Sequence, residues 1–227
     1  MEDVAGRRVQ GDIPVNQNFM IIIIGNQKGG AGKSTLTLLL ANYLSQSKNH
    51  PVTVIDMDYQ QSIAQKYERA KLLENDESYT VVAASLEHFP GMKNIMCSNA
   101  GQIVLIDLPG KLDDDGLIPV FRSVDLVICP FSYDEFSFES TVLFSVVLRK
   151  INDKVPIAYV PNRVKANVKY ETRLDVDRQL SKLGQVTSPL PDRIDFQRVN
   201  TFQTPLPILP SVLSAFETIY KHHFKNE

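Results

Sequence analysis

Several features are scarce in this chain of 227 residues. It has two cysteines, Cys97 and Cys129, and no CxxC pair, which argues against a disulfide framework and a cysteine-based zinc site. No apolar run reaches the roughly 18 residues that a membrane-spanning helix needs. The first twenty residues also lack the apolar stretch of a secretion signal. We therefore expect a cytoplasmic protein.

Internal repeats and low-complexity linkers are also missing from the sequence. With 43% hydrophobic and 22% charged residues, the chain is long enough for one substantial core. We predict a single domain over residues 20–227. Residues 1–19 contain Gly6, Gly11, Pro14 and several polar side chains, a composition typical of a flexible N-terminal arm.

Neither positive nor negative charge dominates the chain as a whole, but the charged residues are unevenly distributed along it. The formal net charge is −2, yet residues 149–198 carry 11 Lys and Arg against 6 Asp and Glu. We call residues 149–198 the basic segment. Such a segment within an otherwise acidic chain indicates either scattered solvated side chains or a surface for an anionic partner.

Short apolar runs rich in Ile and Val recur along the chain without alternating with polar residues. This pattern is typical of strands covered on both faces in a parallel sheet. The runs span residues 20–26, 52–58, 80–85, 103–109, 125–130 and 156–162. Helix-like stretches lie near residues 33–47, 61–74, 136–153 and 167–183, and a last one runs from 210 to about 224. The alternation predicts an α/β fold, with a mostly parallel twisted sheet flanked by helices on both faces.

A glycine-rich stretch, GNQKGGAGKSTLT, occupies residues 25–37 between the first apolar run and the first helix-like stretch. It is a variant of the phosphate loop, Gly, any four residues, Gly, Lys, then Ser or Thr. Gly32, Lys33 and Ser34 fill the last three places, but Gln27 stands where the first glycine belongs. The loop also carries a second lysine, Lys28, that the ordinary motif does not need.

This loop predicts a nucleotide site, because its backbone N–H groups point into a concavity at the positive end of a helix dipole. Lys33 is expected to reach the β and γ phosphates, and the Ser34 hydroxyl to ligate Mg²⁺. Thr35 is expected to contact the α phosphate. The predicted nucleotide-contacting residues of the loop are Gly29, Gly30, Ala31, Gly32, Lys33, Ser34 and Thr35.

Carboxylates follow two of the other apolar runs. Magnesium requires hard oxygen ligands, and Asp107, which closes IVLIDLPG, is the first candidate. Asp56 and Asp58 lie two residues apart in VIDMDYQQ. We expect one of this pair to belong to the metal shell and the other to orient the attacking water.

Together these residues resemble the ParA and MinD family of deviant Walker A ATPases, and more closely its ParA branch. The resemblance rests on KGGAGKST, VIDMDYQQS, IVLIDLPG, VPNRV and PLPDRIDFQRVNTFQTPLPILP, and it covers residues 20 to about 222. It implies the P-loop NTPase fold of the deviant Walker A type, with ATP and Mg²⁺ as cofactors and ATP hydrolysis as the reaction.

The resemblance also implies roles for individual residues. Lys28 matches the family's signature lysine, which crosses the dimer interface to the partner's ATP, so a homodimer is expected when ATP is bound. Asp58 would position the hydrolytic water, Asp56 would support the metal or the loop, and Asn162 would contact adenine. Tyr59 departs from the pattern, because the family usually has proline there. The catalytic residues expected are Lys28, Lys33 and Asp58, and the metal ligands expected are Ser34, Asp56 and Asp107.

The ParA branch further implies sequence-independent binding to double-stranded DNA through basic residues of the C-terminal half. It also implies a ParB-like adaptor protein as partner and a nucleoid-associated location in the cytoplasm. Phosphate neutralisation would then carry the affinity. The candidate DNA-binding residues are Arg163, Lys165, Lys169, Arg173, Arg193 and Arg198.

Two alternatives share the fold. A MinD-like positioning ATPase would use a C-terminal amphipathic helix on a membrane, but the apolar stripe of the tail is no larger than core packing needs. An ATP-dependent small-molecule enzyme would need a substrate pocket that the sequence does not reveal.

Overall fold

The computed structural model describes residues 19–96, 101–111 and 113–224. Of the predicted N-terminal arm, residues 1–18 therefore lie outside the described residues. Phe19 is within them, and it packs partly buried against the apolar core.

A parallel sheet of seven strands forms the centre of the described structure. Its order is β3-β2-β4-β1-β5-β6-β7, and every neighbouring pair is parallel. Strands β4, β5 and β6 are buried at every position, and β1 and β2 at all but one, which explains why their sequences do not alternate. The strands are β1 (Met20–Ile24), β2 (Val52–Asp56), β3 (Thr80–Ala83), β4 (Ile103–Asp107), β5 (Leu126–Phe131), β6 (Ile157–Pro161) and β7 (Gln185–Val186).

Seven α-helices connect or follow these strands in the described part of the chain. The first continues into a π-helical turn at Tyr43–Ser47. Short 3₁₀ turns occur at Leu86–His88, Ile194–Arg198 and Leu206–Ile208. The helices are α1 (Lys33–Asn42), α2 (Ser62–Leu72), α3 (Phe89–Met96), α4 (Leu117–Ser123), α5 (Glu135–Ile151), α6 (Arg173–Leu180) and α7 (Leu209–His223).

Helices cover both faces of the sheet, so the apolar core has two layers. Ile22 and Ile24 of β1 contribute to the layer under α1, α2 and α7. Ile21 and Ile23 point to the other face, under α3, α4, α5 and α6. The prediction of a mostly parallel sheet flanked on both faces is confirmed.

The carboxyl ends of the central strands form the edge where polar side chains collect. Asp107 at the end of β4 is in register with Asp56 on β2 and with Ile24 on β1. The chain leaves β1 at Ile24 and enters the glycine-rich stretch. Three separated parts of the sequence therefore meet at one edge, as expected for parallel strands.

Several elements differ from the sequence-based expectation. Helices α3 and α4 and strand β7 were not predicted, and α6 occupies only Arg173–Leu180 within the predicted stretch 167–183. Helix α6 has only Val176 and Leu180 as buried residues. Its short apolar face, between long polar flanks, explains why periodicity alone overestimated its length.

Candidate functional site

The glycine-rich loop, residues 25–32, joins β1 to α1 and is open at its tip. A Cβ added at Gly29 or Gly30 would meet no atom within 4 Å, and both residues are exposed. Gly30 and Gly32 have φ angles of +73° and +93°, in the left-handed region that favours glycine. The loop therefore presents bare backbone to an incoming ligand.

Lys33 begins α1 at the base of this loop and is 8% exposed. Its ammonium lies against the turn after β4, because a Cβ placed on Gly110 would be 3.5 Å from Lys33 Nζ. This nearly buried cation stands at the positive end of the α1 dipole. The combination favours an anion in the loop.

Ser34 and Asp107 form the polar contact beneath the loop. Ser34 Oγ donates to Asp107 Oδ2 at 2.5 Å, and Thr37 Oγ1 lies 3.3 Å from Asp107 Oδ1. Burial raises the pKa of Asp107 to about 7, and the nearby carboxylate of Asp56 adds to the rise. A hydroxyl beside a carboxylate is a donor set that suits Mg²⁺, and the ion's charge would favour the ionised form of Asp107.

The two aspartates at the end of β2 have different surroundings. Asp56 is fully buried, and its Oδ2 accepts hydrogen bonds from the Ile63 and Ala64 amides at 2.9 and 3.0 Å. Burial raises the pKa of Asp56 although these hydrogen bonds oppose the shift. Asp56 thus fixes the start of α2, whereas the half-buried Asp58 faces the loop.

Asp58 lines a cavity of about 290 Å³ that we call the loop cavity. Its wall also contains Gly29, Gly30, Lys33 and Ser34. The predicted lysine, hydroxyl and water-positioning carboxylate therefore meet around one space.

A larger cavity of about 610 Å³, which we call the side cavity, adjoins the loop cavity. Both cavities are lined by Gly32, Thr35 and Arg163, and Asn162 belongs to the side cavity. Tyr170 and Phe196 supply aromatic surface there. A small polar space joined to a larger, partly aromatic one matches a phosphate chain attached to a base.

Asn26 holds the beginning of the loop, although sequence reasoning did not select it. Its Nδ2 donates to the Pro130 carbonyl at 2.8 Å and to Thr141 Oγ1 at 2.9 Å. Its Oδ1 accepts from Ser140 Oγ and from the Lys28 amide, both at 3.0 Å. The signal available in the sequence was a polar side chain directly after a buried strand.

The extra lysine of the loop is paired within its own chain. Lys28 Nζ lies 2.7 Å from Asp134 Oδ1, and Asp134 caps α5 by accepting from the Ser137 amide at 3.0 Å. Ser132 Oγ also donates to Asp134. Burial acts to raise the pKa of Asp134, but the hydrogen bonds from Lys28, Ser132 and Ser137 outweigh it and lower the pKa. Sequence reasoning did not identify this acidic partner.

The basic candidates do not form one surface of free cations. Arg163 and Lys165 line the side cavity, and Lys169 is exposed beyond it. The other three contact carboxylates: Arg173 lies 3.7 Å from Asp177, and Arg193 and Arg198 lie 3.1 and 3.7 Å from Asp195.

The C-terminal helix α7 packs into the domain. Val212, Ala215, Phe216 and Ile219 on its apolar face are all buried in the core layer under α1. Within the part of the chain that the structure describes, no helix combines the length and apolar character needed to span a bilayer.

A family model described as the CobQ/CobB/MinD/ParA nucleotide-binding domain matches residues 22–206. The chain belongs to this family. The match contains the loop, both aspartate-bearing strand ends and all six candidate cations of the basic segment. No curated protein sequence matches the chain.

Solved structures of family members are similar over almost their whole length. A Borrelia burgdorferi B31 protein described as a putative plasmid partition protein, bound to AMPPNP, is 25% identical with a TM-score of 0.72, covering 90% of this chain and 100% of its own. An ATP complex of a Cyanothece McdA variant is 14% identical with a TM-score of 0.68, covering 92% and 98%. The Pyrococcus furiosus cell division ATPase MinD is 15% identical with a TM-score of 0.69, covering 89% and 99%. The chain therefore has the ParA/MinD form of the P-loop NTPase fold.

Proposed function

We propose that this chain is a ParA-like ATPase that dimerises with ATP, binds DNA non-specifically, and hydrolyses ATP to drive partition or positioning of DNA. The cargo would be a plasmid, a chromosome or a mobile DNA element. The observation that carries the proposal is the loop cavity, where Lys33, Ser34 and Asp58 surround an open glycine loop. The similar Borrelia plasmid partition protein with bound AMPPNP supports the ligand class.

The residues of the loop cavity suit binding of a triphosphate and activation of water. The loop amides and Lys33 would bind the β and γ phosphates, and Thr35 the α phosphate. Ser34 and Asp107 would hold Mg²⁺, which supplies charge neutralisation at the phosphates. Asp58 would orient the attacking water, while Asp56 keeps α2 in place. The base would occupy the side cavity.

Lys28 requires a second protomer to perform its expected role. Its ammonium would leave Asp134 and contact the triphosphate of the partner, where a cation stabilises charge on the transferred phosphoryl group. Exchanging one carboxylate for a triphosphate is electrostatically favourable, because the triphosphate carries more negative charge. The dimer would therefore form only when ATP is present.

DNA binding would follow from dimerisation, because two copies double the number of basic side chains along one duplex. Lys165 and Lys169 are exposed, form no ion pair within the described residues and, unlike Arg163, do not line the loop cavity, so they are the strongest candidates. The paired Arg173, Arg193 and Arg198 would contribute less. A ParB-like adaptor would accelerate hydrolysis and so release the DNA, and the protein would be nucleoid-associated.

Replacement of the water-positioning carboxylate tests the proposal. Asp58→Ala with Mg·ATP should sediment as a stable dimer and shift duplex DNA of any sequence, because binding persists while hydrolysis stops. Asp113→Ala, an exposed acid near the same edge, is the matched control and should behave as wild type. A monomer at saturating ATP would contradict the proposal.

A MinD-like membrane role is the second candidate, since the Pyrococcus MinD structure is similar. The burial of the apolar face of α7 weighs against it, because this face cannot contact lipid and the core together. Flotation of the ATP-bound protein with anionic liposomes would favour this role. ATP turnover that needs a metabolite and ignores DNA would instead favour a small-molecule enzyme of the same fold.

A further inference from the structure

Asn162 contacts the glycine-rich loop directly. Its Nδ2 donates to the Ala31 carbonyl at 2.9 Å, across 131 residues of sequence, and its Oδ1 accepts from the Arg163 amide at 3.0 Å. Its own amide donates to the Phe131 carbonyl at 2.6 Å, which ties it to β5. Asn162 is 7% exposed. Both ends of the side-chain amide are thus used by the protein before any base arrives.

We propose that Asn162 is a positioning residue that fastens the second half of the glycine-rich loop, and that this contact is its main contribution to nucleotide binding. The inference rests on the proposed ATPase function. It differs from the adenine contact that the family resemblance implies.

The loop has a side-chain fastening on each side of its open tip. Asn26 ties the first half to β5 and α5, and Asn162 ties the Ala31 carbonyl to the end of β6. Between them, Gly29 and Gly30 have no side chains and are exposed. Because glycine has the largest backbone freedom, this part of the loop depends on its fastenings for order.

Gly32 gives Asn162 the space to reach the loop. A Cβ on Gly32 would be 2.4 Å from Asn162 Nδ2, well inside contact distance. Glycine is therefore needed at position 32 for two reasons, the left-handed φ and the close approach of the Asn162 side chain. The two positions should be energetically coupled, because the clash between a Cβ at position 32 and the Asn162 amide exists only when both side chains are present.

The inference leads to a specific pattern of affinities. A loosened loop must be ordered by the ligand, so every ligand with a triphosphate would lose affinity, whatever its base. A residue that reads adenine would instead affect ATP alone. Inorganic tripolyphosphate, which has no base, separates the two roles.

The first test measures the loop without nucleotide. Backbone ¹⁵N order parameters of residues 29–32 should fall in Asn162→Ala, from about 0.85, typical of rigid backbone, towards values below about 0.6, typical of flexible backbone. Asn152→Ala is the matched control, because Asn152 Nδ2 makes an equivalent 3.0 Å bond to the Phe121 carbonyl away from the loop. Should Asn162→Ala not fold, Asn162→Asp keeps the acceptor for Arg163 and removes the donor to Ala31, but it adds a negative charge and therefore serves only in this nucleotide-free test. Unchanged order parameters in a folded variant would overturn the inference.

The second test measures dissociation constants for ATP, GTP and tripolyphosphate with Mg²⁺. Asn162→Ala should weaken all three by a similar factor, about tenfold. A loss confined to ATP would overturn the inference in favour of base reading. If wild-type protein bound none of the three, the proposed function would fail, while the order parameters of the nucleotide-free protein would still decide the role of Asn162.

The coupling between the two positions provides a third measurement. Gly32→Ala should weaken ATP binding less in the Asn162→Ala background than in wild type, because the Cβ then meets no amide. The strain of a positive φ remains in both backgrounds and cancels from the comparison. Strictly additive effects would contradict the proposed contact.

Discussion

The glycine-rich loop and the basic segment both contain cationic side chains, but those side chains contact different kinds of partner in the two regions. Lys28 pairs with Asp134, 106 residues away, and Lys33 lies against the turn after β4. In the basic segment the carboxylate partners are local. Four arginine–carboxylate pairs join residues no more than four positions apart, namely Arg173–Asp177, Arg178–Asp175, Arg193–Asp195 and Arg198–Asp195.

The loop lysines therefore depend on their positions, whereas the paired arginines of the basic segment contribute mainly their charge. Long-range contacts place the loop lysines at defined points of the sheet edge, so each has one job that substitution can remove. The arginine side chains of these local pairs are 43 to 72% exposed, so each pair contributes about 0–1 kcal/mol and mainly cancels charge, although Asp195 itself is buried. The number of basic residues therefore overstates the positive potential at the surface of the basic segment. The loop contains only two lysines, but each has a defined position and a correspondingly larger expected effect.

Removing the loop's extra cation should have the largest effect. Lys28→Ala should lower ATP turnover by about 10³, because no cation then crosses to the partner's phosphates. Binding of ATP to the monomer should change less than about threefold, since Lys28 lies outside the loop cavity lining. Turnover assays with equilibrium sedimentation check both. Lys71→Ala, a substitution of an exposed lysine, serves as control. If the Lys28→Ala protein still dimerised with ATP, the loop lysine would have no role that distinguishes it from the cations of the basic segment.

Asp107→Asn should have two opposite effects. Turnover should fall about 10²-fold, because the neutral amide is a poorer magnesium ligand. The nucleotide-free protein should become more stable at pH 8, on the order of 4 kcal/mol, because burial raises the pKa of Asp107 to about 7 from its ordinary 3.8.

The pH dependence of that stability follows from the sign of the shift. Between pH 3.8 and about 7 the folded state holds a proton that the unfolded state has lost, so wild-type stability falls as pH rises through this range. Asp107→Asn should show a shallower decline, because the raised pKa of Asp56 still contributes, and the difference between the two proteins should disappear as pH falls to about 3.8. Denaturant unfolding without nucleotide measures both, and Asp113→Asn should follow wild type throughout.

The sequence predicted the parts of the site that depend on strand ends. Lys33, Ser34 and Asp107 were placed together because a loop after one parallel strand and a carboxylate ending another meet at one edge. Asn26 and Asp134 were not selected, because a polar residue after a buried strand and a helix-capping aspartate are local signals that do not reveal partners more than a hundred residues away. Helix α3 and strand β7 were missed because they have at most one buried residue, and α4 was missed because its seven residues give only one repeat of the helical period, at Leu117, Val120 and Phe121.

Charge pairing in the basic segment was also beyond the sequence. Asp195 is one acidic residue among many, and only the structure shows that it contacts both Arg193 and Arg198. The basic segment does contain more Lys and Arg than Asp and Glu. How much of it is available to a polyanion depends on side-chain directions that composition does not contain.

The pair in the loop can be weakened without disturbing its helix. Asp134→Asn keeps a good helix cap, because asparagine caps as well as aspartate, and it removes only the charge that holds Lys28. ATP-dependent dimers should then form at an approximately threefold lower protein concentration, in line with a partly exposed ion pair. Glu135→Gln, the adjacent exposed acid, should change nothing. Weaker dimerisation in Asp134→Asn would instead assign Asp134 to the assembled interface.

The smallest expected effect tests the basic segment itself. Asp195→Asn keeps the side-chain shape and releases two guanidinium groups, Arg193 and Arg198, from their carboxylate. If the segment contacts DNA, affinity for random duplex at low salt should rise about threefold, and the slope of log K against log salt should steepen by up to about 0.9 for each additional phosphate contact.

Asp175→Asn provides the matched comparison, because it releases one arginine, Arg178, that is not among the candidates for DNA contact. A steeper slope in Asp195→Asn alone would assign DNA contact to the turn at Ile194–Arg198. Equal slopes in both variants would mean that released arginines act only through net charge. No change in either variant would leave Lys165 and Lys169 as the cations to replace next, and the local pairs would then be structural throughout the segment.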